Sequence, residues 1–233
     1  ADSVKKMSLE LGGNAPLLVF DDADLDKAVT GAMMSKFRNA GQTCVCANRI
    51  FVQDGIYDAF AKRLAEATDA LQVGNGMTDG VEQGPIINDQ GLAKIKRHVE
   101  DAVGKGAILL TGGKPHALGG TFFEPTVLTE MTSDMQLFRE ETFGPVAALF
   151  KFSDEDDAIA MANDSEFGLA AYLFTENAAR LFRVSEALEF GIVAVNTGIF
   201  SSEVGPFGGL KNSGLGREGS KYGIDEFLEI KFV

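Results

Sequence analysis

The stretch Leu17-Leu18-Val19-Phe20-Asp21-Asp22-Ala23-Asp24 decides the fold class of this chain. Its four consecutive apolar residues predict a strand that is buried on both faces. The aspartates that follow supply an N-cap for an amphipathic helix, which we expect to continue to about Asn39 and to end at Gly41. A second apolar run, Ile50-Phe51-Val52, predicts the next strand, so the chain opens with a strand–helix–strand unit.

The same alternation of strand and helix patterns continues along the chain. Further helices are predicted at residues 55–71, 90–103, 154–163 and 177–188. Further strands are predicted at residues 107–111, 123–129, 145–152, 171–175, 191–196 and 227–233. Repeated alternation of this kind predicts an α/β fold with a mainly parallel, twisted sheet and helices on both faces. We expect the last strand to leave the body of the domain and pair elsewhere.

Net charge and hydropathy limit the kinds of molecule that this protein is expected to bind. The 233 residues carry 21 Lys and Arg against 34 Asp and Glu, a net charge of −13. Such a charge disfavours nucleic acids and anionic membranes, but a few local cations in a cleft are still able to bind a small anion. No apolar run approaches the roughly 20 residues of a membrane helix, and no signal-peptide pattern is present at the start. We therefore expect a soluble, cytoplasmic protein.

The chain has two cysteines, Cys44 and Cys46, and two histidines, His98 and His116. A secreted domain stapled by disulfides has more cysteines that are spread more widely. A zinc site needs a spaced cluster of His and Cys ligands, which this sequence does not contain. We therefore expect no metal site.

Two residues have the chemistry of a catalytic pair. Cys44 lies in a loop after a Gly, where a thiol can be exposed and act as a nucleophile, although a free cysteine usually packs as a small apolar side chain. Glu10 lies between apolar neighbours, and burial there would raise its pKa and suit a general base. By pattern alone, an ordinary exposed glutamate on an alternating strand is the favoured interpretation of Glu10.

Four segments together resemble the aldehyde dehydrogenase superfamily. They occur in the family's order and approximate spacing, and the resemblance runs from residue 1 to residue 233. The segments are Leu-Glu-Leu-Gly-Gly-Asn-Ala-Pro at 9–16, Phe-Arg-Asn-Ala-Gly-Gln-Thr-Cys at 37–44, Glu-Thr-Phe-Gly-Pro at 141–145, and Asn196 with Pro-Phe-Gly-Gly-Leu-Lys at 206–211.

The resemblance implies a role for each matching residue. Cys44 matches the nucleophile that attacks the aldehyde to give a thiohemiacetal and then a thioester, and its N–H would form half of the oxyanion hole. Glu10 matches the base that activates water for hydrolysis. Glu141 matches the carboxylate that holds the nicotinamide-side ribose, with Phe143 packed nearby. Leu11 matches a backbone contact to the nicotinamide.

The resemblance also implies a division into domains. Residues 1–13 would be the end of the cofactor domain and carry the general base, residues 14–226 the catalytic domain, and residues 227–233 a strand used in oligomerisation. The cofactor would be NAD or NADP, bound mainly by an N-terminal half that we expect to be absent from this sequence. Because that half selects the ribose, the choice of cofactor stays open. The full-length enzyme is expected to be a homodimer or homotetramer.

Within the superfamily, the members that oxidise succinate semialdehyde look most similar. Arg38, six positions before the nucleophile, would grip the distal carboxylate of a small anionic aldehyde, and Ser201 would assist it. By its residue type alone, Arg38 would be a solvated charge near a helix end, as is common for any arginine, and the motif match favours the substrate-binding role. Glutarate semialdehyde is the alternative substrate, and an inert isolated domain is the alternative for this chain by itself. Cys46 either packs or forms a reversible disulfide with Cys44, as in the mammalian enzymes that it resembles.

Overall fold

Eleven strands and six α-helices are found in residues 4–233, the part of the chain that the computed structural model describes. The helices are α1 (Leu25–Phe37), α2 (Tyr57–Asp69), α3 (Asp89–Gly104), α4 (Gln136–Arg139), α5 (Glu155–Asn163) and α6 (Ala178–Ala187). The strands are β1 (Leu9–Glu10), β2 (Ala15–Val19), β3 (Ala47–Gln53), β4 (Ile108–Thr111), β5 (Thr126–Thr129), β6 (Val146–Phe152), β7 (Phe167–Gly168), β8 (Ala170–Phe174), β9 (Ile192–Val195), β10 (Leu210–Lys211) and β11 (Gly214–Leu215).

Seven strands form the central sheet, in the order β4-β5-β6-β3-β2-β8-β9. All neighbouring pairs are parallel except β4 with β5, which is antiparallel at one edge. Two short antiparallel pairs, β1 with β11 and β7 with β10, lie outside this sheet. The predicted mainly parallel α/β fold is therefore confirmed.

Side chains of the central strands point alternately to two apolar layers. Leu17 and Val19 of β2 pack in one layer with residues of α1 and α2. Leu18 of β2 and Phe51 of β3 pack in the other layer with residues of α3, α4, α5 and α6. Helices thus cover both faces, and the continuous apolar runs of the strands are explained by burial on both sides.

Helix α1 begins where the sequence predicts and ends earlier. The side chain of Asp24 accepts hydrogen bonds from the N–H groups of Asp26 and Lys27, both at 3.1 Å, which confirms the predicted N-cap. The helix stops at Phe37, because the next backbone turn is left-handed, with φ of 53° at Asn39 and 55° at Ala40. This turn redirects the chain from α1 into the loop that carries Cys44.

Arg49 of β3 is a fully buried cation that links separate elements of the core by hydrogen bonds. Its Nε donates to the carbonyl of Asn14 at 3.1 Å, and its terminal nitrogens donate to the carbonyls of Met161 and Ala162 at the end of α5. The carbonyls at a helix C-terminus carry partial negative charge, so they stabilise a cation that has been removed from water. Arg49 therefore ties the start of β2 to the opposite helical layer.

The end of the chain differs from the sequence prediction. A short 3-10 turn covers Gly223–Phe227, and residues 228–233 are exposed and form no strand within the described chain. Their pairing with another element, and the proposed domain limits, stay predictions. No helix in residues 4–233 is long and apolar enough to cross a membrane.

Candidate active site

One cavity of about 620 Å³ brings together the predicted nucleophile, base, cofactor residues and substrate residues. Cys46 is the predicted site residue that does not line it. The lining includes Glu10, Leu11, Arg38, Cys44, Glu141, Phe143 and Ser201. These residues come from four separate segments of the chain, so the fold assembles the site from parts that are distant in sequence.

The thiol loop, residues 38–46, is fixed by two close backbone approaches. A Cβ at Gly41, whose φ is 69°, would collide with the carbonyl of Gly144, next to the segment that carries Glu141. A Cβ at Gly13 would collide with the carbonyl oxygen of Cys44. Glycine is required at both positions because only its missing side chain permits these contacts. The loop is therefore held between the two segments that bear the carboxylates.

The Cys44 thiol is half-buried, and its environment keeps it protonated. Burial, a hydrogen bond with Glu10 and the negative charges of Glu10 and Glu141 together raise the pKa of Cys44 to about 12. A thiol is a weak nucleophile until its proton is removed. The chain therefore places an acceptor carboxylate next to a thiol that needs a base.

Glu10 is exposed on β1, as the sequence pattern alone favours, and the burial considered for a general base among apolar neighbours is not found in the described chain. Its apolar neighbours Leu9 and Leu11 are also exposed. Strand β1 is held in place by pairing of Glu10 with Gly214 and by the buried Ser213, whose hydroxyl donates to the carbonyl of Gly12 at 2.8 Å. Sequence reasoning missed Ser213, which lies 201 positions away from Gly12.

Glu141 is partly buried and oriented by the backbone. Its Oε1 accepts a hydrogen bond from the N–H of Gly13 at 3.0 Å. Burial raises the pKa of Glu141, although the Gly13 N–H and the charges of Lys94 and Lys36 act in the opposite direction. Phe143, two residues on, has a left-handed backbone with φ of 53°, a strained conformation for an aromatic residue. The segment is thus held in one defined shape.

Tyr172 of β8 lines the cavity and was missed by the sequence analysis. Its buried hydroxyl donates to the carbonyl of Val45 at 2.7 Å, directly after the nucleophile. Its ring lies 5.6 Å from that of Phe200. A tyrosine within a fully apolar strand needs a hydrogen-bond partner for its buried hydroxyl. This requirement is the sequence feature that points to a contact of Tyr172 with another segment.

Arg38 and Ser201 lie on the cavity wall and are exposed. Among the residues that the structure describes, no carboxylate forms an ion pair with Arg38. The guanidinium is therefore available to an anionic group inside the cavity.

Cys46 is buried behind the loop, and both cysteines are free thiols. Its Sγ lies 3.3 Å from Nζ of Lys36, which also donates to Oδ1 of Asn48 at 3.0 Å. Burial raises the pKa of Cys46, and the positive charge of Lys36 lowers it in part. A disulfide with Cys44 would require Cys46 to leave this contact. Residues 4–233 contain no group of three or more His, Cys, Asp or Glu side chains able to hold a metal ion.

Comparison with known proteins gives one family. The model of the aldehyde dehydrogenase family matches residues 1–233. Over all 233 residues the chain is 60% identical to the succinate-semialdehyde dehydrogenase [NADP(+)] of Escherichia coli, 61% to the 3-sulfolactaldehyde dehydrogenase of Pseudomonas putida and 60% to the glutarate-semialdehyde dehydrogenase of Pseudomonas aeruginosa. It covers 48% of the length of each of these three, so the chain spans about half of the curated relatives that it matches.

A solved structure shares the fold as well as the sequence. The crystal structure of succinate-semialdehyde dehydrogenase from Burkholderia pseudomallei superposes with a TM-score of 0.95 at 60% identity, over 96% of this chain and 46% of that one. The four sequence motifs, the sheet and these matches agree. The chain belongs to the aldehyde dehydrogenase family.

Proposed function

We propose that this chain is the thiol-bearing part of an enzyme that oxidises a small aldehyde with an anionic group at its far end, with succinate semialdehyde as the first candidate. The observation that carries the proposal is that Cys44, Glu10 and Arg38 line one cavity. A nucleophile, a base and a cation that has no carboxylate partner within residues 4–233 suit a reactive carbonyl with a distant negative charge.

Cys44 forms the covalent bond to substrate. The Cys44 thiol, whose pKa is raised to about 12, transfers its proton to the adjacent Glu10 as Sγ attacks the aldehyde carbon. The resulting thiohemiacetal would become a thioester when it loses a hydride to the dinucleotide and a proton. Glu10, which is exposed, releases the first proton to solvent and then takes a proton from the water that hydrolyses the thioester. The N–H of Cys44 supplies one donor to the oxyanion. The product is the carboxylic acid, and Cys44 returns to its free form.

Glu141, Phe143 and Leu11 fit one end of NAD or NADP. Glu141 Oε1 is anchored on Gly13, and Oε2 accepts no hydrogen bond from the described residues, so it suits a ribose hydroxyl. The N–H of Leu11 is used by the carbonyl of Ser213 at 3.1 Å, which leaves the Leu11 carbonyl for the nicotinamide amide. When bound, the dinucleotide supplies the oxidising chemistry. The E. coli relative is named for NADP(+).

Arg38 favours substrates that carry a negative charge. It lies at the wall of the cavity with Ser201 and has no carboxylate partner among the described residues. A carboxylate or sulfonate of the substrate would therefore form an ion pair with its guanidinium. The names of the three relatives give aldehydes that all carry such a group, which supports the class and leaves the individual substrate open. Measuring kcat/KM of the full-length enzyme for succinate semialdehyde, glutarate semialdehyde and 3-sulfolactaldehyde would identify the preferred substrate.

The test is Arg38→Leu in the full-length enzyme, with kcat/KM measured for succinate semialdehyde and for butanal, a neutral aldehyde of the same chain length. Loss of a charge-assisted contact costs about 1.5–3 kcal/mol, or roughly ten- to a hundredfold. We expect that loss for the semialdehyde and little change for butanal. Arg63→Leu, at an arginine outside the cavity, serves as the control. Equal losses on both aldehydes would remove the proposed role of Arg38.

A further inference from the structure

A buried histidine contacts the residues on both sides of Glu141. His98 of α3 is fully buried, and its ring lies between the two residues that flank Glu141 in sequence. Nδ1 lies 3.2 Å from Oγ1 of Thr142, and Nε2 lies 3.0 Å from Oε2 of Glu140. No step of the proposed chemistry uses this histidine, so its burial and double contact need another explanation.

The two partners fix the protonation pattern of the ring. A carboxylate only accepts, so Nε2–H donates to Glu140, and Nδ1 accepts from the hydroxyl of Thr142. Burial, together with the positive charges of Arg97 and Lys94, lowers the pKa of His98 against the opposing effect of Glu140, which favours this neutral form. Each ring nitrogen is therefore used once, and the imidazole sets the spacing between residues 140 and 142.

Further contacts connect residues 140–144 to the thiol loop. Ile95, one turn before His98 on α3, packs so closely on Gly144 that a Cβ there would collide with it. Between these two contacts Phe143 holds its left-handed conformation. Glu141 reaches Gly13, whose α-carbon lies against the carbonyl of Cys44. Helix α3 thus supports the whole segment 140–144 from behind the cavity.

We propose that His98 is a positioning residue that holds the Glu141 carboxylate where the nicotinamide-side ribose binds. This inference rests on the proposed role of Glu141 as the ribose-binding carboxylate. Glu141 contributes one oriented oxygen, and a shift of about 1 Å in such a group weakens its contact to a ligand strongly. His98 acts through Thr142 and Glu140, and it does not line the cavity itself.

The test uses the full-length enzyme and measures the Kd of the oxidised cofactor, its KM, and the KM of the aldehyde. We expect His98→Leu to weaken cofactor binding about tenfold, the effect of roughly one lost hydrogen bond with its unpaired partner. The KM of the aldehyde should change less than twofold. Thr142→Val, which keeps the side-chain volume, should show a smaller loss of the same kind. His98→Gln, which retains a donor toward Glu140, should restore part of the affinity.

A double variant separates positioning from general damage. If His98 acts through Glu141, His98→Leu combined with Glu141→Gln should bind the cofactor no more weakly than Glu141→Gln alone. His116→Leu, at the other histidine, is the control. Unchanged cofactor affinity in both His98→Leu and Thr142→Val would overturn the proposal, as would parallel losses for cofactor and aldehyde. If Glu141→Gln itself leaves the affinity unchanged, the ribose role of Glu141 fails first, and the positioning role fails with it.

Discussion

The hydroxyl of Tyr172 donates a 2.7 Å hydrogen bond to the carbonyl of Val45, the residue that follows the nucleophile. Burial raises the pKa of Tyr172, so the hydroxyl stays protonated and remains a donor. The bond joins β8 to the thiol loop across the floor of the cavity. Val45 is buried as well, so loss of this donor would leave a buried carbonyl without its hydrogen bond.

We therefore expect Tyr172→Phe to loosen the thiol loop while leaving the ring in place. The buried carbonyl of Val45 loses its partner, a cost of about 1–3 kcal/mol. In the full-length enzyme kcat should fall several-fold, and thermal unfolding should shift to lower temperature. Tyr222→Phe, at an exposed tyrosine, is the control. An unchanged kcat together with an unchanged melting temperature would contradict this role.

The two cysteines should behave differently when they are removed. Cys44→Ala in the full-length enzyme should abolish aldehyde oxidation and leave cofactor binding nearly intact, because no other thiol takes its place in the cavity. Cys46→Ala should stay active and lose any peroxide inhibition that thiols reverse, since a Cys44–Cys46 disulfide, formed with loss of two protons and two electrons to peroxide, needs both sulfurs. Substantial oxidation by Cys44→Ala would refute the assignment of the nucleophile.

The reactivity of Cys44 toward alkylation should depend on Glu10. Both the hydrogen bond and the charge of Glu10 raise the pKa of Cys44, so Glu10→Gln lowers that pKa and increases the thiolate fraction at a given pH. In the 233-residue chain with Cys46→Ala, iodoacetamide should therefore modify Cys44 faster at pH 9 after Glu10→Gln. Glu186→Gln, on the exposed face of α6, should leave the rate unchanged. A slower reaction after Glu10→Gln would contradict the expected direction.

Glu10 should also be visible in the time course of the full reaction. Because Glu10→Gln also lowers the pKa of Cys44 and so increases its thiolate fraction, the variant should still form the acyl-enzyme. If Glu10 activates the hydrolytic water, hydrolysis should then be slower by roughly a hundredfold or more, as for a typical lost general base. Stopped-flow measurement should then show a burst of reduced cofactor followed by a slow steady state. If the burst and the steady state fall together, Glu10 acts mainly on the thiol, before acylation.

The last six residues should matter for assembly. Ile230, Phe232 and Val233 are fully exposed, and residues 228–233 form no strand within the described chain. If this segment pairs with a second copy, the full-length protein truncated after Phe227 should lose its dimer or tetramer in light scattering. Replacing residues 228–233 by a Gly-Ser segment of equal length should have the same effect, while Lys231→Ser alone should not. An unchanged mass after truncation would exclude this oligomerisation role.

The sequence by itself determined the parallel α/β sheet, the N-cap of α1 and the family. Apolar runs and an aspartate cap are local signals, because the backbone responds to neighbours within a few residues. The segments at 9–16, 37–44 and 141–145 predicted Glu10, Cys44 and Glu141, and the structure places all three on one cavity. The limits of most elements agree with prediction within a few residues, and α4 was missed because four residues give too short a periodic pattern.

Only the tertiary structure decided how these groups are held. Tyr172 meets Val45 across 127 positions and His98 meets Thr142 across 44, and neither pair has a local pattern that predicts it. Lys36 looks like a surface charge at the end of an amphipathic helix but is fully buried against Cys46 and Asn48. Burial and hydrogen-bond partners depend on which distant elements pack together, and composition and spacing along the chain do not specify that packing for a single side chain.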